Sequence, residues 1–186
     1  MCGYGIERMP DLSFRLMSFV FALRDFLFPV GKKLDQFGIA QGFTVVDFGC
    51  GPGSYVERAS ELVGSNGTVY AVDVQPLAIE AVRKKAERKH LRNVVPVLAA
   101  GYPVAIDSHP ADVIYALDMF HHVKDAPGFL KELHRLLKPG GTLIIESGHQ
   151  KMEAAREKIS RSGFWTISEE RCNLFVCLPS AKSLQD

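Results

Sequence analysis

The chain has 186 residues, of which 47% are hydrophobic and 23% are charged, a composition typical of one soluble domain with a proper core. Its formal net charge of +1 excludes an overall electrostatic attraction to nucleic acid or to an acidic membrane surface. We therefore expect a single domain over residues 1–186.

The N-terminal segment, residues 1–40, differs in character from the rest. The stretch DLSFRLMSFVFALRDFLF predicts a helix over residues 11–28, and VGKKLDQFGI predicts a short second helix closed by Gly38. Phenylalanines occur on more than one face of the first helix, so it should be buried on several sides or cover a pocket or a partner. Arg24 and Asp25 interrupt its apolar run, and no membrane-spanning helix is expected.

Strand and helix patterns alternate from residue 43 onwards. Helices are predicted from a Ser54–Glu57 capping box, from Pro76, from Asp125 and from Lys151. Strands are predicted at FTVVDF (43–48), TVYAVDV (68–74), NVVPVLAA (93–100), ADVIYALDMF (111–120), TLIIES (142–147), FWTISEE (164–170) and NLFVCLPS (173–180). This alternation predicts an α/β fold with a mainly parallel sheet, in which ligands bind beyond the carboxyl ends of the strands.

The first strand runs directly into a glycine cluster, VVDFGCGPGSY, at residues 45–55. Gly49 and Gly51 fit the start of a dinucleotide-binding motif, but Ser54 occupies the position of its third glycine. The acidic Asp47 at the strand end would repel a pyrophosphate and suits a ligand with an ammonium or sulfonium group. The turn therefore favours a cationic ligand over a dinucleotide.

An acid also ends the second strand. Asp73 stands where an acidic side chain can accept both hydroxyl groups of a ribose. A ligand that carries a ribose and is cationic where a dinucleotide is anionic matches S-adenosylmethionine. The glycine turn and Asp73 together predict this cofactor.

Four motifs resemble the class I S-adenosylmethionine-dependent methyltransferases, in the small-molecule branch that includes the ubiquinone and menaquinone enzymes. They are VVDFGCGPG, VYAVDV, ADVIYALDMFHHV and FLKELHRLLKPGGTLII, and the resemblance covers residues 42–178. It implies a Rossmann-like three-layer sandwich with a mostly parallel seven-stranded sheet whose last strand is antiparallel. It also implies that residues 42–178 form the cofactor-binding core.

The resemblance also implies roles for individual residues. The backbone of the glycine turn would approach the methionine part, Asp47 would order the loop and help hold the amino group, Asp73 would bind the ribose and Val74 would pack on the adenine. The full set of expected cofactor-binding residues is Asp47, Gly49, Cys50, Gly51, Gly53, Asp73, Val74, Ala100, Gly101 and Leu117.

One position departs from the family pattern. After the third strand the family usually has an acid that reaches the adenine amino group, whereas Ala100 stands there in LAAGYP. We expect backbone near Ala99 to Gly101, apolar contact or water to hold the adenine instead. Losing one charge-assisted hydrogen bond would weaken binding by roughly 1–3 kcal/mol unless another contact replaces it.

The methyl acceptor is not specified by any motif. If the acceptor must lose a proton, His121, His122, His149 and Asp118 are candidate bases, and no catalytic residue is assigned among them. The family's substrate-covering insertion after the fifth strand is missing, so residues 1–40 should act as a lid over an apolar, open site. A homodimer through the N-terminal helix would complete the same site.

Three readings of the function stay open. The first is methyl transfer to a small, apolar or amphipathic acceptor, and the second is methyl transfer to RNA or protein. The third is a cofactor-binding protein without activity, or an oxidoreductase. The basic run RKKAERKHLR, residues 83–92, lacks interleaved aromatic residues, so a solvated helix face is expected there and no nucleic-acid partner.

Cysteine usage predicts a reducing compartment. Cys2, Cys50, Cys172 and Cys177 do not form a dense disulfide framework, and MCGYGIERMP lacks the pattern of a signal peptide, so a cytoplasmic protein is expected. Cys172 and Cys177 have no second pair or histidine near them in sequence, and we expect packed strand cysteines there. No metal site is predicted.

Overall fold

A computed structural model of the chain describes residues 8, 10–28 and 30–180, except for the side chains of Ala22 and Phe26. Cys2 and the first part of the expected lid therefore lie outside the described residues. The described chain forms two compact units, Arg8–Ala99 and residues 100–180. No helix within the described ranges is long and apolar enough to cross a membrane.

The unit Arg8–Ala99 contains three parallel strands. Apolar and β-branched runs form these strands, and in β1 the side chains of Val45, Val46 and Phe48 are at most 1% exposed. The strands lie in the order β3-β2-β1, with β2 paired to both neighbours. The elements are α1 (Asp11–Leu27), a 3₁₀ helix (Val30–Gln36), β1 (Thr44–Phe48), α2 (Val56–Val63), β2 (Thr68–Asp73), α3 (Pro76–Lys89) and β3 (Val94–Leu98).

The second unit contains the remaining four strands. β4 and β5 are parallel, and β7 lies between β5 and β6 and is antiparallel to both. The elements are β4 (Ala111–Ala116), a 3₁₀ helix (Phe120–His122), α4 (Ala126–Leu136), β5 (Leu137–Glu146), α5 (Met152–Arg161), β6 (Trp165–Arg171) and β7 (Leu174–Pro179).

The predicted fold class is confirmed. The sheet has seven strands; β1 and β2, β2 and β3, and β4 and β5 pair in parallel, and a helix connects the two strands of each of these pairs. This is the Rossmann-like arrangement with an antiparallel last strand that the sequence predicts. The expected division into a lid and a cofactor-binding core stays a prediction.

Helix α1 is not buried on several sides, which leaves the other expected alternative, a helix that covers a pocket or a partner, as a prediction. Phe14 is buried at 5% exposure, but a stripe at helical spacing is open to solvent. We call these residues the α1 apolar stripe; they are Leu12, Leu16, Phe19, Val20, Leu23 and Leu27, with exposures from 52% to 81%. Large apolar side chains grouped in this way mark a surface that contacts something else.

The predicted Ser54–Glu57 capping box is wrong. Helix α2 begins at Val56, and the preceding residue, Tyr55, has no side-chain capping bond. The hydroxyl oxygen of Ser54 accepts a hydrogen bond from the Nη2 atom of Arg24 at 3.1 Å, while Glu57 pairs with Lys89 at 2.9 Å. Charged partners from elsewhere in the unit thus engage both side chains that would have formed the box.

Strand bounds differ at the fourth and fifth strands. β4 ends at Ala116 instead of residue 120, because the chain turns there into the 3₁₀ helix that carries His121 and His122. β5 already begins at Leu137, and residues 138–141 form an irregularity in its pairing with β4 instead of a loop before the strand.

The expectation of packed strand cysteines is correct for only one of the pair. Cys177 is buried in β7, whereas Cys172 is exposed in the turn before β7, with a left-handed φ of 47°.

Candidate functional site

The glycine turn after β1 adopts a backbone that side chains disfavour. Gly49, Gly51 and Gly53 have φ values of 85°, 51° and 79°. The backbone nitrogens of Gly49 and Cys50 donate to the carbonyl oxygen of Val72 in β2, at 2.8 and 3.0 Å. The turn is therefore fixed to the neighbouring strand and does not depend on side chains of its own.

Two glycines of this turn have different surroundings. A Cβ atom at Gly53 would lie 3.1 Å from Cγ2 of Val82, so this glycine permits close packing of the turn on α3. A Cβ atom at Gly51 would have nothing within 4 Å. The open space over Gly51 leaves its backbone accessible to a ligand.

Asp73 at the end of β2 is bonded to this turn. Its Oδ2 atom accepts a hydrogen bond from the backbone nitrogen of Gly51, and its Oδ1 atom accepts one from that of Gln75, both at 2.8 Å. Burial raises the pKa of Asp73, and these backbone hydrogen bonds oppose the increase. Each carboxylate oxygen can accept a further hydrogen bond, as ribose hydroxyl groups require.

The other expected contacts of this unit flank the turn and β2. Asp47, near the end of β1, is only 2% exposed, which fits a role in ordering the loop. Val74 follows β2 and is half-buried, so part of its surface is available to a flat ligand. Burial raises the pKa of the Cys50 thiol, and the nearby carboxylates of Asp73 and Asp47 raise it further. Cys50 therefore remains a neutral thiol.

In the second unit, the expected contacts are Ala100, Gly101 and Leu117. Ala100 is exposed, Gly101 is partly exposed, and Leu117, just after β4, is 6% exposed. The backbone nitrogen of the preceding Ala99, the last residue of the first unit, donates to the carbonyl oxygen of Asp73 at 2.8 Å. Because the side chain of Ala100 has no polar atom, this position after β3 offers no carboxylate to the adenine.

The candidate bases occupy the loops after β4 and β5. The rings of His121 and His122 lie 3.9 Å apart between centroids, and those of His121 and His149 lie 4.9 Å apart. The Nε2 atom of His149 is 3.8 Å from Oδ1 of Asp118. Burial lowers the pKa of His121 and the neighbouring His122 lowers it further, while Asp118 opposes the decrease. His121 is therefore neutral at physiological pH, as a proton acceptor must be.

A surface cavity of about 490 Å³ lies beside α5 and β6, on residues that no motif singles out. Arg156, Ser160 and residues 165–170 line it, and Arg156 pairs with Glu170 at 2.7 Å. None of the expected site residues contributes to this cavity, so we do not assign it to the methyl-transfer site.

The basic run on α3 is a solvated face. Arg83, Lys84, Arg88 and Lys89 are exposed, and two of them pair with acids: Lys84 with Glu80 and Lys89 with Glu57. These neighbouring acids reduce the positive electrostatic potential of the helix face, which the phosphate backbone of a nucleic acid would need for binding.

The residues of the glycine turn fit S-adenosylmethionine. The left-handed backbone, the open space over Gly51 and the carboxylate of Asp73 provide an approach for a ligand and an acceptor for ribose hydroxyls. The carboxylates of Asp47 and Asp73 lie close enough to Cys50 to raise the pKa of its thiol, so an anionic pyrophosphate at this turn would meet negative charge.

The family model described as "Methyltransferase domain" matches residues 46–145 of the chain. The matched range begins within β1 and ends within β5. It therefore includes the glycine turn, Asp73 and the loop that carries His121 and His122.

Two curated relatives act on acceptors of different kinds. Aklanonic acid methyltransferase DauC from Streptomyces sp. (strain C5) is 31% identical over 124 residues, which are 66% of this chain and 56% of that protein. Protein-L-isoaspartate O-methyltransferase from Methanothrix thermoacetophila is 31% identical over 119 residues, which are 64% of this chain and 54% of that protein. The chain thus spans about half the length of the curated relatives it matches.

A solved structure has the same fold. The crystal structure of a SAM-dependent methyltransferase from Aquifex aeolicus superposes with a TM-score of 0.78, covering 91% of this chain and 97% of that one. At 24% identity, this similarity supports the fold and carries no statement about the acceptor.

Proposed function

The chain belongs to the S-adenosylmethionine-dependent methyltransferases. On this premise, we propose that it transfers a methyl group to a small, apolar or amphipathic acceptor. The cofactor supplies an already activated methyl group on its sulfonium. The protein must bind it, align the acceptor with the methyl group and exclude water.

The proposal that S-adenosylmethionine is the methyl donor rests on the hydrogen bond between Gly51 and Asp73. This bond joins the backbone that a ligand can approach to the carboxylate that can accept ribose hydroxyl groups. We propose that Asp73 binds the ribose and that Asp47 orders the turn. The remaining proposed contacts are Gly49, Cys50, Gly51 and Gly53 in the turn, Val74 at the adenine, Ala100 and Gly101 beyond β3, and Leu117 after β4.

The α1 apolar stripe supports an apolar acceptor. Leu12, Leu16 and Phe19 are between 67% and 81% exposed, a costly arrangement in water unless the face meets something apolar. Only five residues separate β5 from α5, so no insertion after β5 offers such a surface. In this proposal α1 acts as the lid that contacts the acceptor.

A second copy of the chain is the alternative occupant of this stripe. A homodimer through α1 would bury the same side chains, and the two paired α1 helices would then cover the site together. Size-exclusion chromatography with light scattering distinguishes the two cases, because only the dimer gives twice the mass of the chain.

Protein methylation is the second candidate function, and the similarity to the isoaspartate enzyme favours it. Methylation of RNA has less support, because the basic run on α3 is partly paired with acids. A peptide acceptor would not need the apolar stripe on α1, which is why the small acceptor is our first proposal.

Cytoplasmic location is also part of the proposal. Cys50, Cys172 and Cys177 are free thiols, as expected in a reducing compartment. Fractionation of cells that express the full chain would test this location.

The test of the acceptor is a methyl-transfer screen with labelled S-adenosylmethionine over quinols, phenols, thiols, amines and an isoaspartyl peptide. We expect transfer to an apolar small molecule, and Leu16→Gln should raise its KM several-fold. Leu178 in β7 is 42% exposed and lies outside the α1 apolar stripe. Leu178→Gln is therefore the matched control and should leave the KM unchanged. Transfer to the peptide alone would contradict the small-acceptor proposal and support the second candidate.

A further inference from the structure

Three metal-ligating side chains from separate segments meet in the second unit. Asp118 follows β4, His121 belongs to the 3₁₀ helix Phe120–His122, and His149 follows β5. One potential ligand atom of each lies within 4.8 Å of the other two. We call these three residues the His-His-Asp cluster.

Buried groups hold this loop in place. Asp118 has a left-handed φ of 52°, a conformation that aspartate and asparagine adopt more readily than most side chains, and its backbone nitrogen donates to Oε2 of Glu146 at 3.2 Å. Glu146 is 8% exposed and also accepts a hydrogen bond from Asn173. The position of Asp118 is therefore set by the sheet beneath it.

Gly148 allows the approach of the two histidines. A Cβ atom at this position would overlap the Nδ1 atom of His121, so only glycine lets the ring lie against the backbone just before His149. The Nδ1 atom is buried and has no hydrogen-bond partner among the described residues. No described group therefore makes a hydrogen bond with that nitrogen.

The ligand atoms of the cluster lie within 4.8 Å of one another, and the Asp118–His149 pair is too far apart for a hydrogen bond. Asp118 Oδ1 and His149 Nε2 are 3.8 Å apart, whereas hydrogen bonds of this kind measure about 2.7–3.2 Å. Ligand atoms at about 2.0–2.1 Å from a tetrahedral ion lie roughly 3.3 Å from one another. A small contraction would bring the three groups onto one ion, and His149, with an 82% exposed side chain, is free to move.

We propose that the His-His-Asp cluster binds a divalent transition-metal ion of the zinc class. Two imidazoles and one carboxylate favour zinc, cobalt or nickel over magnesium and calcium, which prefer ligand sets made only of oxygen. Three protein ligands leave at least one coordination position open. The side chains of Asp118 and His149 are 48% and 82% exposed, so an ion reaches the cluster without unfolding of the chain. This inference goes beyond the proposed function and does not depend on it.

The test is a titration of the full, untagged chain with Co²⁺ and Zn²⁺, followed by absorption and by competition with a chromogenic chelator. We expect one cobalt ion per chain, with ligand-field bands but no thiolate-to-cobalt charge-transfer band, because the cluster contains no cysteine. That band would indicate binding at a cysteine, such as the exposed Cys172, instead and would overturn the assignment.

Two ligand variants and one control complete the test. His149→Ala removes an exposed ligand, and Asp118→Asn removes the charge while keeping a residue that tolerates left-handed backbone. Each should weaken Zn²⁺ binding by about ten-fold or more. His122 is exposed and is not a member of the cluster, so His122→Gln should change Zn²⁺ binding less than about two-fold.

Circular dichroism and the melting temperature report whether each variant is folded. Zn²⁺ should raise the melting temperature of the wild type and of His122→Gln but not that of the two ligand variants. Equal affinity in the wild type and both ligand variants would overturn the proposal. So would an equal loss in His122→Gln, or no binding to the wild type.

Discussion

The backbone nitrogen of Gly51 donates a hydrogen bond of 2.8 Å to the Oδ2 atom of Asp73, 22 positions later in the chain. This contact joins the turn after β1 to the acid at the end of β2. It makes the geometry of the turn and the position of the carboxylate depend on each other. A change at either residue should therefore affect the same ligand.

Gly51→Ala separates backbone strain from ligand contact. Because φ at Gly51 is 51° and its Cβ would meet no protein atom, the substitution should cost about 1 kcal/mol of unfolding free energy. S-adenosylmethionine affinity should fall far more, at least ten-fold, because the new methyl group occupies the space proposed for the ligand. Urea denaturation and calorimetry measure the two effects.

Gly38→Ala is the matched control for this substitution. Gly38 has a φ of 67° and also has nothing within 4 Å of its Cβ position, but it belongs to no predicted ligand contact. It should lose similar stability and keep the affinity of the wild type. Equal affinity loss in the two variants would mean that strain alone explains the result at Gly51.

The raised pKa of Asp73 predicts how stability depends on pH. Burial raises this pKa, so between the ordinary aspartate pKa and the higher folded value the folded chain binds a proton that the unfolded chain has released. The contribution of Asp73 is therefore fully present at low pH and is lost as the pH rises through this window. The unfolding free energy of the wild type, relative to Asp73→Asn, should fall from acidic to neutral pH. A relative increase would show that the pKa is lowered.

Thiol reactivity should follow burial. Burial raises the pKa of Cys50 and raises that of Cys177 to about 12, so both remain protonated at mildly alkaline pH. Cys172 is exposed in a turn. Iodoacetamide should modify Cys172 before Cys50 and Cys177 in the folded chain, as measured by peptide mass spectrometry. Faster modification of Cys50 than of Cys172 would mean that the turn after β1 opens readily.

Glu132 should be important for stability. It is 4% exposed, its Oε1 atom accepts a hydrogen bond from the backbone nitrogen of Val104 at 2.9 Å, and it pairs with Arg135 at 2.6 Å. Glu132→Gln should cost about 2–3 kcal/mol of unfolding free energy, since it removes the charge from a largely buried pair. Glu169→Gln, which breaks the exposed pair with Arg171, is the control and should show no measurable change in urea denaturation.

Local patterns predicted most of the fold. The apolar runs of β1 and β2 and the proline at the start of α3 fixed those elements to within a residue or two. The capping box failed because Arg24, from a distant part of the sequence, engages Ser54. Strand β4 was predicted too long because Leu117 to Phe120 continue its apolar pattern, although the chain turns there to position His121.

Sequence patterns predict a candidate site residue where it lies in a continuous motif or follows a strand end, and the cofactor contacts predicted in this way stay predictions. Asp47, the turn glycines and Asp73 belong to this class. The His-His-Asp cluster was not foreseen as a unit, because Asp118 and His149 lie in loops after different strands and their distance depends on the pairing of β4 with β5. Gly148 and His149 lie just after β5, and their relation to His121 becomes visible only when the fold brings the three residues together.

Calorimetric titration of the wild type and of Asp73→Ala with S-adenosylmethionine, and of the wild type with NAD, is the most direct measurement of the central claim. The wild type should bind one S-adenosylmethionine, Asp73→Ala should bind it at least roughly 10- to 100-fold more weakly, and NAD should give no heat of binding. Tight NAD binding without a response to S-adenosylmethionine would contradict the account, and wild-type affinity in Asp73→Ala would show that the ribose is held elsewhere.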